Sequence, residues 1–519
     1  MSRALQTILF LIGISPDTAG AQDRHWIADG IENDALGSVD GGRDVNGDGT
    51  TDVIVGAFQA GLGPGKVLVL SGSDGSEIHS LDGDSVADGF GLSVALCGDL
   101  DGDGFSEFLV GADGDDWVPN DSGSAYLYSG RSASLLKVWH GGASGIRFGY
   151  PVRGLGDVDG DSIGDLAITA RNDDTITQDA GAVFVYSGAS LAHLFTFYGD
   201  FVQAQFGQAL GAAGDVNADG YADLVAGAPF DNDNGDRSGS AQVRSGFDGS
   251  VLYSFAGAAP IALFGSSVAG AGDLNDDGHA DFMIGASNED TTINDEGHVV
   301  VYSGVDGGIL FEYFGTQPGD KLGNSVASAG DVNADGIADI LLGSIKDIRG
   351  QNAGTAWLHS GRTGLLLYRF DGDSDLDYFG TGLSTAGDVN GDGLLDIMVG
   401  APYDDNGGNA SGRVSCFGGS EVYLQIDPNR PREGGAITFE IREGTPGGLA
   451  AIFVVEIEQA PASLLVTIAV LDNAGRYGFS STVPPGLAGI DAVFQCFASG
   501  TTGGPRQILA SGREIVHFR

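Results

Sequence analysis

The chain has 519 residues, 42% of them hydrophobic, which is enough for a large buried core and more than one domain. Its 71 acids against 24 Lys and Arg give a formal net charge of −47, which argues against nucleic acid or an anionic membrane as a partner held by simple attraction. The 89 glycines follow no collagen triplet and recur at fixed places, so they mark turns and close backbone approach rather than disorder.

Residues 1–21 read as a secretory leader, with Arg3 in a short basic start, an apolar run Ile8–Ile14, and Ala19-Gly20-Ala21 before Gln22. Export makes the chain secreted or cell-surface, and no other apolar run is long enough to span a bilayer. Three cysteines do not make a disulfide framework. Cys97 and Cys416 stand where other repeats carry Leu, Ala or Val, and read as small buried apolar residues.

From residue 44 onward one acidic sentence is written seven times, its first Asp recurring at intervals of 55 to 58 residues. Such register over the chain defines a repeat array. The seven sets are Asp44, Asn46, Asp48 and Asp52; Asp99, Asp101, Asp103 and Glu107; Asp157, Asp159, Asp161 and Asp165; Asp215, Asn217, Asp219 and Asp223; Asp273, Asn275, Asp277 and Asp281; Asp331, Asn333, Asp335 and Asp339; and Asp388, Asn390, Asp392 and Asp396. Three oxygen-bearing side chains at alternate positions converge on one point, a Gly then folds the backbone back, and a last carboxylate closes the shell. This all-oxygen, anionic nest suits calcium, whereas zinc favours His or Cys and magnesium keeps more of its water. Up to seven structural calcium ions are therefore expected. Loop two ends on the longer arm of Glu107. Loop three has Ser162 where the others have Gly, so its turn is expected to be strained and its site the weakest.

The copy Phe206–Gly265 shows the unit: an opening strand to Ala212, the acidic loop, a strand Leu224–Gly227, a polar loop, a strand Ser240–Ser245, a turn, and a return through Val251–Phe255. Four short antiparallel strands with no helical period cannot bury their apolar face alone, so seven such units are expected to close into a propeller. The seventh copy ends at Gly418-Gly419 without its fourth strand, and a surplus strand within residues 24–30 is expected to supply it, hiding an open edge.

The combination Phe-Gly, Gly-Asp-x-Asn/Asp-x-Asp-Gly and Gly-Ala-Pro resembles the FG-GAP repeats of the seven-bladed propeller in integrin α-subunits and their bacterial relatives. Phe-Gly stands at Phe90, Phe148, Phe206, Phe264 and Phe379, with Leu36-Gly37 and Leu322-Gly323 in its place in repeats one and six; Gly-Ala-Pro is complete at Gly227–Pro229 and Gly400–Pro402. The resemblance covers residues 24–419 and implies calcium in the loops of one face and partner binding on the other. The long legs, membrane span and inserted domain of an animal integrin have no counterpart here.

The domain reading is thus a leader at 1–21, a propeller at 22–419, and, from its short alternating runs separated by Pro, Gly and Asn, an immunoglobulin-like β-sandwich at 420–519; the fold class is all-β. No catalytic set stands out. Gly160-Asp161-Ser162-Ile163-Gly164 matches a nucleophile elbow by letter but lies between two strands inside loop three. The eight His show no zinc spacing. The leading expectation is a non-enzymatic adhesion or recognition module for an extracellular protein or glycan. Its contacts would come from the long acidic connections between second and third strands and from aromatics such as Trp117, Tyr198, Phe201, Phe230 and Tyr403. The alternatives are an extracellular hydrolase or lyase, which asks for two or more convergent acids on the axis, and a structural matrix component.

Overall fold

A computed structural model describes residues 24–419, apart from 31–33, 59–62, 118–119, 291–293, 347–351 and 407–409, and the backbone of six strands between 423 and 517. Every regular element described is a β-strand. Seven four-stranded antiparallel sheets make a seven-bladed propeller. Blade one is built from Leu36–Arg43, Asp52–Ala57, Lys66–Leu70 and Glu77–Asp82, and the next five repeat that order. The first strands of successive blades touch one another around the axis, and those of blades one and seven, Leu36–Arg43 and Gly382–Gly387, complete the circle.

The second strand of each blade shows why an unbroken apolar run was needed. In Asp52–Ala57, Glu107–Ala112, Asp223–Ala228, Asp281–Ala286, Asp339–Ser344 and Asp396–Ala401 every residue is buried, because both faces of the sheet are covered by neighbouring blades. The fourth strand lies at the outer edge, and there the pattern loosens, as in Glu77–Asp82 and Val251–Ala256. Core clusters form between blades. One joins Val45, Ile54 and Val67 of blade one to Phe90, Phe108 and Val110 of blade two.

The recurring Phe-Gly and Gly-Ala elements lock adjacent blades. A Cβ on Gly111 would run into the carbonyl oxygen of Gly149 in the next blade, and Gly227 stands in the same relation to Gly265. Within a blade, the Gly207 N–H donates to the Gly227 carbonyl at 2.8 Å. The Phe of each pair enters an inter-blade core, as Phe206 does at 3% exposure.

Blade seven takes its fourth strand from the start of the chain. Arg24–Asp29 pairs antiparallel with Arg413–Phe417, in the sheet that also contains Asp396–Ala401 and Gly382–Gly387. Asp29 meets the Arg413 guanidinium at 2.7 Å. Residues Gln22–Glu421 form one compact unit and Val422–Arg519 lie in another. The latter holds two three-stranded antiparallel sheets, one of Tyr423–Ile426, Ala436–Arg442 and Arg476–Thr482, the other of Leu449–Ile457, Asp491–Ser499 and Leu509–His517. The apolar run at 464–471, read as part of the sandwich, lies outside the described residues.

Candidate functional site

Each acidic loop joins the first and second strands of its blade, so all seven lie on one face. Loop one shows how the local sequence builds it. The two oxygens of Asp44 accept the N–H groups of Gly47 (2.6 Å) and Gly49 (2.8 Å). Asn46 Oδ1 accepts from Asp48 N, and Asp48 Oδ1 from Thr50 N, both at 2.8 Å. These short local bonds are what Asp and Asn side chains offer in turns, and here they pull three side chains inward. Gly49 takes φ +88°, and the matching Gly104, Gly220, Gly278, Gly336 and Gly393 do the same within a few degrees. In loop three Ser162 is forced to φ +71°, a conformation that disfavours any side chain, while its N–H still reaches Asp157 Oδ2 at 2.7 Å.

The fourth position behaves differently from the other three. Asp52, Asp165, Asp223, Asp281, Asp339 and Asp396 are fully buried, as is Glu107. In six blades one carboxylate oxygen accepts an N–H from inside the loop and the other accepts from a glycine just after the third strand, which in five of them lies in the hairpin to the fourth strand and in blade seven is Gly419. Asp223 thus receives Val216 N at 2.8 Å and Gly246 N at 2.9 Å; Asp281 receives Leu274 N and Gly304 N. This pin between loop and hairpin went unread in the sequence, although its signal is present as a Ser-Gly pair in six repeats (Ser71-Gly72 to Ser360-Gly361) and Gly418-Gly419 in the seventh. The glycine is obligatory, since a Cβ on Gly246 would run into the Ala222 carbonyl oxygen.

Glu107 breaks the pattern. Its Oε2 accepts Leu100 N at 2.7 Å, but Oε1 is buried with no hydrogen-bond partner. Burial pushes its carboxyl up to about 7, Asp52, Asp165, Asp223 and Asp281 up to about 6, and Asp339 up to about 8, with neighbouring loop carboxylates adding to the shift. The acids near 6 are largely ionised at neutral pH, whereas full ionisation of Glu107 and Asp339 asks for a compensating positive charge.

Loops two and three each bring oxygens of three acids within 4.8 Å of one another: Asp99, Asp101 and Glu107, and Asp157, Asp159 and Asp165. In the other five loops the second position is Asn. The donor set is all oxygen, and in loop two it contains one orphaned buried acceptor. His279, the one imidazole inside a loop, is engaged elsewhere, with Nδ1 at 2.8 Å from the Val216 carbonyl. These groups fit a hard, oxygen-seeking divalent cation and give a soft metal no foothold.

On the opposite face the rim aromatics are spread rather than gathered. Trp117 is 68% exposed and stacks on His140 at 4.1 Å; Phe201 and Tyr403 are exposed; Tyr198 and Phe230 are half-buried. Some of the acids there meet an arginine. Asp113 meets Arg171 at 2.6 Å and Arg147 at 3.8 Å, and Arg413 spans Asp29, Asp373 and Asp404. Along the axis Asp40 is the one acid of the described first strands, bonded to Leu96 N and Ser384 Oγ.

The fold and the loops together define a seven-bladed β-propeller with an acidic strand-connecting loop in every blade. The family model for the FG-GAP repeat matches residues 90–128, 206–243, 264–302 and 379–415. The chain is 28% identical over 244 residues to integrin alpha-4 of Xenopus laevis, covering 44% of this chain and 23% of that protein. It is 31% identical over 185 residues to integrin alpha-5 of Xenopus laevis, covering 33% and 17%, and 28% identical over 201 residues to integrin alpha-V of Gallus gallus, covering 36% and 19%. The chain therefore spans less than a quarter of the length of these relatives. What it carries is an integrin α-like FG-GAP propeller. No helix of the described residues is long and apolar enough to cross a membrane.

Proposed function

We infer that this chain is a secreted or cell-surface recognition module. Calcium in the seven loops, held by the four side chains named for each, rigidifies the propeller, and the opposite rim binds an extracellular protein or glycan. The observation that carries the reading is the repeated pairing of a buried, hydrogen-bonded acid with three oxygen donors at alternate positions of one tight loop, in a propeller of integrin α type. Each cation would cancel repulsion within a loop and tie first and second strands together. At a hundredfold excess over its dissociation constant each adds about 2.7 kcal/mol. The role of calcium is thus structural, and the reading is non-enzymatic. Among the described first strands Asp40 has no second acid to pair with, which supports binding over hydrolysis there. The C-terminal unit is read as a spacer or anchor.

The rim supplies recognition through variable connections on a rigid frame. Exposed Trp117, held flat by His140, offers a stacking surface for a sugar or a side chain. Binding to a glycan array and to a panel of matrix proteins, in calcium and in chelator, tests this. A ligand bound in calcium, lost in chelator and weakened about tenfold or more by Trp117→Ala supports it, that being the scale of an interface hot spot. A ligand that binds equally well to the chelated chain refutes the link between loops and rim.

A further inference from the structure

The N-terminal strand is the one part of the ring held to its blade without a covalent turn. It is bonded directly to acidic loop seven on one side of the seam and, through a hairpin glycine, to the buried acid of loop one on the other. His25 reaches loop seven, where the Asn390 side-chain amide donates to His25 Nε2 at 2.8 Å and Asp396 Oδ1 lies 3.8 Å away. The same amide also reaches Asp396 Oδ1 of its own loop at 3.4 Å, whereas in loops one and four the corresponding Asn amide donates to Asp48 and Asp219 of its own loop at 2.9 and 2.8 Å. The segment after the third strand of blade seven is adapted to this contact. Six repeats have Ser before the pinned glycine, whereas blade seven has Gly418, and a Cβ there would stand 2.5 Å from His25 Nε2. On the other side Trp26 donates its indole N–H to the Gly72 carbonyl at 2.7 Å, and Gly72 N–H donates to Asp52, the buried acid of loop one, at 3.2 Å. A Cβ on Gly75 would press on the same indole at 3.1 Å.

We propose that the N-terminal strand and loops one and seven form a cation-linked latch. Occupancy of the two seam loops fixes the seat of residues Arg24–Asp29, and docking of that strand in turn orders Asn390 and Asp52 for the ion. The inference rests on the calcium reading of the loops. Coupling follows because His25 and Trp26 bind groups whose positions depend on the loop's shape, and linkage makes the effect reciprocal. The same relay at an interior junction, Tyr253 hydroxyl to Gly304 carbonyl with Gly304 N–H on Asp281, joins blades already continuous in the chain. Losing an ion there leaves no strand free to depart.

The test is amide hydrogen exchange of Arg24–Asp29 in the full chain, with the number of bound calcium ions counted by titration. Wild type in calcium is compared with Asp388→Ala, in loop seven, and Asp215→Ala, in loop four. Exchange in the strand should rise about tenfold in Asp388→Ala and stay within about twofold in Asp215→Ala, the first value lying in the range typical of coupling between sites. His25→Ala, which removes no proposed ligand and serves where Asp388→Ala does not fold, should weaken one calcium about tenfold by reciprocity. Equal exchange in the two Asp variants, each short of one calcium, overturns the latch and leaves the calcium reading standing. A wild-type chain that binds no calcium overturns both.

Discussion

Both faces of the propeller are rich in acid, and they dispose of it in different ways. At the rim, buried Asp113 has Arg171 and Arg147, Asp404 and Asp373 share Arg413, and Asp231 takes the Ser240 hydroxyl at 2.6 Å. On the loop face twenty-three carboxylates occupy the twenty-eight positions. Among the described residues only Asp335, with Arg362 at 3.4 Å, and Asp396, with His25 at 3.8 Å, meet a basic side chain within 4 Å. The loop acids lean instead on backbone N–H groups, which satisfy geometry but not net charge. The rim thus brings its own arginines to several of its buried acids, while the loop face is conditional on what the solution supplies.

Five experiments break or sharpen that contrast. The largest effect is expected from removing cations: chelation should lower the melting midpoint by on the order of 10 °C or more, given about 2.7 kcal/mol per occupied loop. The pH dependence should then separate the two states. The buried loop acids are raised above their unfolded values, Asp52 to about 6 and Asp339 to about 8. The folded chelated chain therefore holds more protons than the unfolded chain, and its stability falls as pH rises from about 4 toward 8. A chelated protein that melts higher at pH 5 than at pH 8, beside a calcium-loaded one that does not, is the expected pair of curves; equal midpoints with and without chelator would remove the conditional face altogether.

Arg171→Met probes the other face. It strips a buried carboxylate of its nearest partner and should cost about 3 kcal/mol, by the same amount in calcium and in chelator. A cost that depends on calcium would mean the faces are not independent. Glu107→Gln should act with opposite sign in the two conditions. With calcium it removes a ligand and destabilises. In chelator it removes an orphaned buried carboxylate and stabilises by about 1–3 kcal/mol, measured by denaturant unfolding. Ser162→Gly is the smallest, relieving a left-handed backbone by about 1 kcal/mol in either condition; an unchanged midpoint would show that the loop relaxes without it.

What the sequence displayed and what it concealed follow the same division. The loop residues are legible because their chemistry is local: Asp388, Asn390 and Asp392 sit two apart, and the turn that joins them is written between them. Blade count and strand order follow from the period and from apolar runs such as Ile397–Gly400, buried on both sides. The rim pairs are not legible. Arg171 finds Asp113 across 58 residues and a blade boundary, with no spacing rule to announce it. Nor is the double duty of the fourth acid, because its second partner is a hairpin glycine 23 residues away in blade four. The unpartnered Glu107 Oε1 belongs to the one fourth-position acid with an extra methylene, and the sequence does not show that this longer arm leaves it without a partner.

The pairing of Asp29 with Arg413 spans 384 positions. On a ribosome adding 5–20 residues per second, the opening strand emerges roughly 20–80 s before its mate exists. Throughout that interval the nascent polypeptide is an unsealed ribbon with two bare edges, so a stalled or prematurely terminated product is predisposed to pair with a sibling instead of with itself.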